Sequence, residues 1–362
     1  MAGGPLGAAR FRLGGHAGNL CRAQGLGAAL IHRTPPTMTS PPHLTILVAT
    51  LTRGRPQMLR ALIESWGAMD VPPACDVSCL VVENALRPLS LPVVQAAQPL
   101  PNGLRVDHVL EPEPGIPFAR NRAAREAIGR GADLLAFVDD DEVVTRDWLL
   151  RLVAGYRASD AVLLGAPLRI APLMGPVGWT ERLMYRNIAE RYRRKEARAT
   201  QRAGLHGTPG VTIVTNNWLA ETRIFTDHGI WFDESMRHTG GTDAKFHADV
   251  RQRGLPTAWV ADAVVHEIVP AERLSFRYQF RRGRDQSNTA FHRKLADRPL
   301  ALLGLFGILP LRLVMVLALA FALPLTKGRT LLPLARGMGW IAGRIGATLG
   351  RRSTLYQEVT GV

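Results

Sequence analysis

The sequence predicts an α/β fold: a mixed, mostly parallel sheet flanked by helices, followed by a hydrophobic and basic helical C-terminal region that associates with membranes. Three observations carry that expectation. Between residues 43 and 270, short apolar runs alternate with helical patterns across short connections, the sign of a parallel sheet covered by helices. One run, Leu134 to Val144 (LLAFVDDDEVV), ends abruptly on three aspartates and a glutamate. In open α/β sheets the carboxyl ends of strands are where ligands bind. After residue 300 comes the longest apolar stretch of the chain.

His43 to Thr50 (HLTILVAT) reads as a buried strand, followed by a turn at 52–55 and a helix from Pro56 to about Gly67. Proline suits a first helical position because the N–H it lacks has no helical partner there. Val77 to Glu83 (VSCLVVE) is the next strand, 88–103 a Pro-rich connection, and Arg105 to Leu110 a third strand. Gly115 to Gly129 supplies a helix leading into the acidic strand end at 134–141. Asp139 and Asp141 are two apart, so a continuing strand projects both to one side. Ala161 to Ile170 reads as a strand and 180–203 as an exposed Arg-rich helix. Further strands near 211–215 and 257–265 flank a Gly-Gly-Thr-Asp turn and a helix at 243–253. Leu300 to Leu325 is long enough to cross a bilayer. Pro310, Pro324 and above all Arg312 weigh against one straight span, so a broken, interfacial or re-entrant segment fits as well. A helical subdomain buried on the rest of the protein is the alternative. The cationic, Gly-rich 331–352 suits a membrane surface.

The net charge of +15 over 362 residues directs the chain to anionic partners: nucleotide, nucleic acid or anionic lipid. The charge is uneven. Residues 1–63 hold no acid, and arginines cluster at 182–202, 277–294 and 327–352. Cys21, Cys75 and Cys79 form no disulfide framework, and Cys75 and Cys79 lack the partners of a zinc site. A reducing cytosol is the simplest compartment. Residues 1–42, rich in Gly, Ala, Arg and Pro, lack the Ser-rich amphipathic pattern of a transit peptide. They are expected to be disordered or outside the native protein, with Met38 as an alternative start.

The acids at 139–141 carry the chemistry. Two carboxylates at one strand end repel each other unless a cation lies between them. Hard oxygen ligands suit Mg²⁺ or Mn²⁺, which keep positions open for phosphate oxygens. Acids before DWLLRLVAGY also complement a helix dipole, although Thr145 and Asp147 suffice for that. Glu83 and Asn84 close the second strand, where a carboxylate and an amide read a base or ribose, or simply form a turn. Arg120, Asn121 and Arg122 follow a Gly-Pro loop, an arginine there reaching phosphate or lying on a solvated helix face. Asp243 ends a Gly-Gly turn as a helix N-cap, a position that also suits a general base. His266 follows the strand AWVADAVV, completing a metal site with Asp141 or serving structure.

In this order, TRGRP after the first strand, VVEN, ARNRA, FVDDDE before a Trp, TNNWL, GGTD before a helix, and VVHE resemble the family 2 glycosyltransferases. The match covers about residues 43–270 and looks most like bacterial transferases building exopolysaccharides of the succinoglycan type. The resemblance implies the Rossmann-like GT-A fold. It makes Asp139 and Asp141 the outer positions of a DxD, Asp141 binding Mn²⁺ or Mg²⁺ on the donor diphosphate and Asp139 lying nearer the ribose. Thr50, Arg53, Glu83, Asn84, Arg120, Asn121, Asp139 and Asp140 then hold a nucleotide-sugar donor, a UDP-sugar, with Glu83 reading the uracil. His266 becomes a metal ligand and Asp243 the catalytic base. The implied reaction is inverting transfer to a hydroxyl of a lipid-linked or saccharide acceptor. Its implied place is an anionic membrane surface, the cytoplasmic face of a bacterial inner membrane, without nucleic acid.

The organisation follows: the 1–42 extension, a catalytic domain at 43–270 (nucleotide-binding half 43–144, acceptor half 145–270), a basic amphipathic neck at 271–298 and a membrane-associating helical tail at 299–362. The arginines of 182–202 and 277–294 then hold a lipid-linked diphosphate acceptor, or are solvated charge runs. Two departures stand out. Thr242 replaces the Glu that usually precedes the base, and Gly283 replaces the Trp of the processive synthases' Gln-x-x-Arg-Trp signature, begun here by Gln279 and Arg282. The second favours single-sugar transfer. A haloacid-dehalogenase-type phosphatase, with Asp139 as nucleophile and Asp141 as acid, is the nearest rival. Its motif normally opens a domain, whereas a strand–helix–strand unit precedes it here. A basic non-enzymatic protein binding membrane or nucleic acid accounts for the charge but not for the acidic strand end. Few aromatics interleave the arginines, as base stacking needs.

Overall fold

The computed structural model describes residues 42–351 apart from 174, 207–209, 238–240, 298–301 and 303. The expected 1–42 extension, with Met38 and Cys21, lies outside the described residues except at its last position.

β1 (Leu44–Thr52) is the central strand, and it is apolar on both faces as a doubly covered strand must be. Ile46 and Val48 join one core cluster, Leu47 and Ala49 the other. α1 (Pro56–Ala68) starts on its proline and seats Leu59, Leu62, Ile63 and Trp66 in the first cluster. β2 (Cys75–Glu83) runs parallel to β1. The Pro-rich connection contains a short α2 (Leu91–Ala96) before β3 (Val106–Leu110), which is parallel to β2. α3 (Ile116–Gly129) lies in the second cluster on Ala119, Ala123, Ala124 and Ala127. β4 (Leu134–Val138) pairs parallel with β1 on its other side.

The acidic strand ends earlier than the sequence suggests. A turn over 139–141, in which the Glu142 N–H donates to the Asp139 carbonyl at 3.2 Å, leads into β5 (Glu142–Val144) of a second sheet. Turn geometry, not strand alternation, therefore places Asp139 and Asp141. α4 (Trp148–Arg157) follows. The single strand expected over 161–170 is two, β6 (Leu163–Gly165) and β7 (Leu168–Ile170), split between the sheets. After α5 (Trp179–His206), the strand expected at 211–215 is instead β8 (Asn217–Glu221), antiparallel to both β4 and β6. The remaining elements are α6 (Arg223–Thr226), α7 (Thr242–Gln252), β9 (Thr257–Trp259), β10 (Val265–Glu267), α8 (Phe276–Asp297), α9 (Gly304–Leu325) and α10 (Leu331–Thr348), with short 3-10 helices at Glu234–Met236 and Ala271–Leu274.

The main sheet has the order β3-β2-β1-β4-β8-β6-β9, and the small one β5-β10-β7. α1, α2 and α4 cover one face; α3, α6 and α7 cover the other. Asn217 ties the two sheets together. Its amide accepts from Trp148 Nε1 at 2.9 Å and donates to the carbonyls of Pro167 and Ala263, both at 2.8 Å.

α8 and α10 pack backbone to backbone. A Cβ added at Gly339 would lie 2.2 Å from the Phe280 carbonyl oxygen, and one at Gly343 2.1 Å from that of Arg284. At Gly283 it would stand 2.8 Å from the Arg336 carbonyl, so tryptophan has no room there. α9 is one continuous helix through Pro310 and Pro324, long and apolar enough to cross a membrane by length and composition. Phe306, Leu317, Phe321 and Leu325 stand exposed along it, while Arg312 stacks on the Trp340 ring of α10 at 4.9 Å.

Candidate active site

In open α/β sheets ligands occupy the crevice beyond the carboxyl ends at the place where the strand order departs in opposite directions, and here that place lies between β1 and β4. Asp140, buried in that crevice, accepts from Thr52 Oγ1 at 2.8 Å and Arg55 Nη1 at 2.9 Å. Asp141 accepts from Arg273 Nη1 at 2.9 Å and lies 3.5 Å from Arg55. Glu142 accepts the Asp139 N–H at 2.8 Å and so braces the turn. Glu267 accepts from the Tyr192 hydroxyl and lies 3.7 Å from Arg273. Arg273 is itself held: its carbonyl accepts from Gln279 Nε2 at 2.7 Å, and Gln279 Oε1 accepts from Arg336 of α10 at 3.0 Å.

Charge is out of balance here. Burial, then Asp141, Asp243 and Asp140, push the Asp139 carboxyl up to about 7, with Arg120 opposing. Burial raises Asp140 to about 6 against the pull of Arg55 and Thr52. Burial and the neighbouring aspartates raise Glu142 well above the usual carboxylate range. A buried acidic cluster with too few cations gains from a bound positive ion.

Asp243 arrives from the other side of the crevice. The α7 N-cap is Gly241, at φ +83°, so Asp243 is the second helical residue and not the cap the sequence suggests. Thr215 Oγ1 donates to its carboxylate at 3.2 Å, and Arg120 pairs with it. Arg120 also donates to Thr242 Oγ1 at 2.8 Å and lies over the Phe232 ring at 5.4 Å.

Several residues expected to touch the donor are occupied elsewhere. Glu83 is fully enclosed; its oxygens accept from Ser90 N–H and Oγ and meet His108 Nε2 at 2.9 Å, which orders the 84–90 loop and leaves no face for a base. Asn84 donates to the Glu111 and Glu113 carbonyls and accepts from Gly115 N–H, fastening the entry to α3. Asn121 binds the Phe232 backbone and Glu234. Thr50 is wholly buried in β1, and Arg120 is buried on Asp243. Arg122 pairs with Glu126 along its own helix. Arg53 is exposed on the loop after β1.

Alternation along β10 separates His266 from Glu267. β10 pairs His266 with Val143 and Arg169, and Glu267 with Glu142. Glu267 therefore shares the acidic face, and His266 the opposite one. The residues missed by sequence reasoning are Thr52, Arg55, Glu142, Tyr192, Glu267 and Arg273. Arg55 was within reach of the same strand-end logic that found the aspartates. Arg273, 132 positions from Asp141, carried no local signal.

Among the described residues, no three His, Cys, Asp or Glu side chains form a ready cage for a metal ion. The donor set nonetheless fits Mg²⁺ or Mn²⁺, which take one or two carboxylates and complete their shell with water and phosphate. Asp139 and Asp141 would be the residues to supply them.

The family described as "Glycosyl transferase family 2" matches residues 45–219. The chain is 30% identical over 263 residues to the succinoglycan biosynthesis protein ExoM of Rhizobium meliloti (strain 1021), covering 70% of this chain and 76% of that protein. Its fold is similar to that of the mannosyltransferase PcManGT from Pyrobaculum calidifontis, solved in complex with GDP-Man and Mn²⁺, with a TM-score of 0.54 at 17% identity over 86% of this chain and 88% of that one. Residues 1–349 of S. aureus TarS align with a TM-score of 0.47 at 13% identity, covering 85% of this chain and 92% of that one. The chain spans 42% of the longer TarS chain.

Proposed function

This chain belongs to glycosyltransferase family 2, and on that premise we propose that it transfers one sugar, with inversion, from a UDP-sugar to a hydroxyl of a lipid-linked saccharide. The observation that carries the proposal is the meeting of Asp139 and Asp243 across one crevice, each within the other's electrostatic reach. One end holds charge-hungry carboxylates for a metal–diphosphate, the other a carboxylate on a helix N-terminus. A divalent ion held by Asp139 and Asp141 would offset the charge that develops on the departing diphosphate. Arg55 and Arg273 hold the acidic turn in shape before the donor arrives, so little reorganisation remains for the reaction itself. Asp243 takes the proton from the acceptor hydroxyl as that oxygen attacks the anomeric carbon. Arg120 and Thr215 fix the carboxylate that does so. Thr242 spends its hydroxyl on Arg120, in keeping with an acceptor contact different from that of a glutamate.

The exposed side of α9 suits the apolar layer of an anionic membrane surface, with the helix lying along it and Arg312 kept on Trp340 instead of in lipid. The cytoplasmic face of a bacterial inner membrane is the location that fits a nucleotide-sugar donor. The test is a panel of nucleotide sugars with purified protein, with and without Mn²⁺, read as nucleoside diphosphate release, with Asp141→Ala as control. Metal-dependent release from a UDP-sugar, lost in the variant, is the expected result. Absence of both release and Mn²⁺-dependent UDP binding by folded protein would overturn the proposal.

A further inference from the structure

A cleft of about 1330 Å³ opens between α5 and the turn that joins α9 to α10. Nine lysine and arginine side chains line it against one acid, Glu190, which already pairs with Arg193 and Arg194. Among the described residues, Arg186, Arg191, Lys195, Arg198, Lys327 and Arg329 form no ion pair. Desolvation, then the neighbouring Arg191, lower the proton affinity of Lys195. The walls are fixed to each other: Asn187 of α5 donates to the Gly328 carbonyl at 3.0 Å. Gly328 sits at φ +81°, where a Cβ would meet Leu183 at 2.4 Å.

Two neighbours define what kind of anion fits. Leu325, the exposed end of apolar α9, stands on the rim. Lys195 reaches from the cleft into a smaller recess lined by Asn217 and Trp259, where Asp243 acts on its charge. A ligand with a compact, highly charged head, a hydrocarbon tail and a further polar group satisfies all three. We propose that this cleft binds the diphosphate of a lipid-linked acceptor, its tail leaving along α9 and its sugar reaching along α5 toward Asp243. The inference rests on the transferase function proposed above and locates its acceptor. Guanidinium groups suit phosphate oxygens because they donate two parallel hydrogen bonds.

The test is titration of the full chain, in neutral detergent, with farnesyl diphosphate. Arg191→Glu combined with Arg198→Glu weakens binding by about a hundredfold, each lost charge-assisted contact being worth roughly a factor of ten. Lys327→Glu with Arg329→Glu, on the opposite wall, does the same, which guards against misfolding of either variant. Arg60→Glu with Arg105→Glu, an equal charge change elsewhere, leaves binding within about threefold. Unchanged binding in both cleft variants overturns the proposal. So does inorganic pyrophosphate competing as well as the lipid, which marks a free-anion site. So does an equal loss of affinity for anionic phosphatidylglycerol vesicles containing no farnesyl diphosphate, which marks a general membrane surface. UDP binding with Mn²⁺, measured on the same samples, reports the donor site separately. Its failure would remove the transferase reading without altering what the lipid titration says of the cleft.

Discussion

Replacing Asn217 by leucine removes the knot between the two sheets while keeping nearly the same volume. Three buried hydrogen bonds go with it, one from Trp148 Nε1 and two to the Pro167 and Ala263 carbonyls, all between 2.8 and 2.9 Å. The losses are unequal. Pro167 keeps the Val265 N–H at 3.2 Å, so its carbonyl forfeits about 1 kcal/mol. The Trp148 indole, on a fully buried ring, and the Ala263 carbonyl are left without these partners, at roughly 1–3 kcal/mol each. The total is about 3–7 kcal/mol, a large share of the roughly 5–15 kcal/mol of an ordinary domain. In urea, at a slope of about 3 kcal/mol per molar for a chain of this size, the midpoint falls by roughly 1–2 M with the slope unchanged. Intrinsic fluorescence and far-ultraviolet circular dichroism together report it. A loss below about 1 kcal/mol would refute the assignment of Asn217 as the tie between the sheets.

Asp243→Asn should lower kcat by about a hundredfold to ten-thousandfold while leaving Mn²⁺-dependent UDP binding intact; loss of UDP binding in parallel would place Asp243 in the donor site instead. Gly339→Val should cost about 1–3 kcal/mol or more by forcing α8 and α10 apart, and limited proteolysis should cut α10 sooner; unchanged protection would rule out the close backbone contact. The acidic turn gives a pH dependence whose sign is fixed. Asp139 titrates near 7 when folded against 3.8 when free, so the folded chain holds the extra proton between those values. Its contribution to metal-free stability is therefore complete below the lower value and is lost as pH rises through the upper one. Added Mn²⁺ should raise the melting temperature more at pH 8 than at pH 5, because metal displaces that proton; an increment independent of pH would contradict the assignment.

Much of the half from β1 to β4 was legible in the sequence. β1 to β4 with α1 and α3 were found because each strand is a single apolar run bounded by turn residues, and Pro56 and Gly115 mark helix starts. The distal half was harder, since β6, β7, β9 and β10 are three residues each and pass between two sheets, which a run of apolar letters does not reveal. The acidic turn was visible from composition alone. What composition cannot show is which side chains are spent internally. Glu83 and Asn84 stand at a strand end suited to a ligand, yet Ser90, His108 and the β3–α3 loop consume them. His266 and Glu267 differ by one position, and only the register of β10 decides which of them faces the aspartates.

Gly283 looks in the sequence like a lost tryptophan, and in the structure it is part of a seam where two helices touch without side chains. The Asp141–Arg273–Gln279–Arg336 connection has a consequence of a different order. A fragment ending at residue 270 would keep every strand of both sheets and every proposed ligand of the metal, yet lack the nearer of the two guanidinium groups on Asp141. The acidic turn is thus finished by the same segment that docks onto α10. Loss of α10 would remove the Arg336 partner of Gln279, and Gln279 in turn holds the Arg273 carbonyl, so the packing of the C-terminal helices bears on the charge balance of the acidic turn.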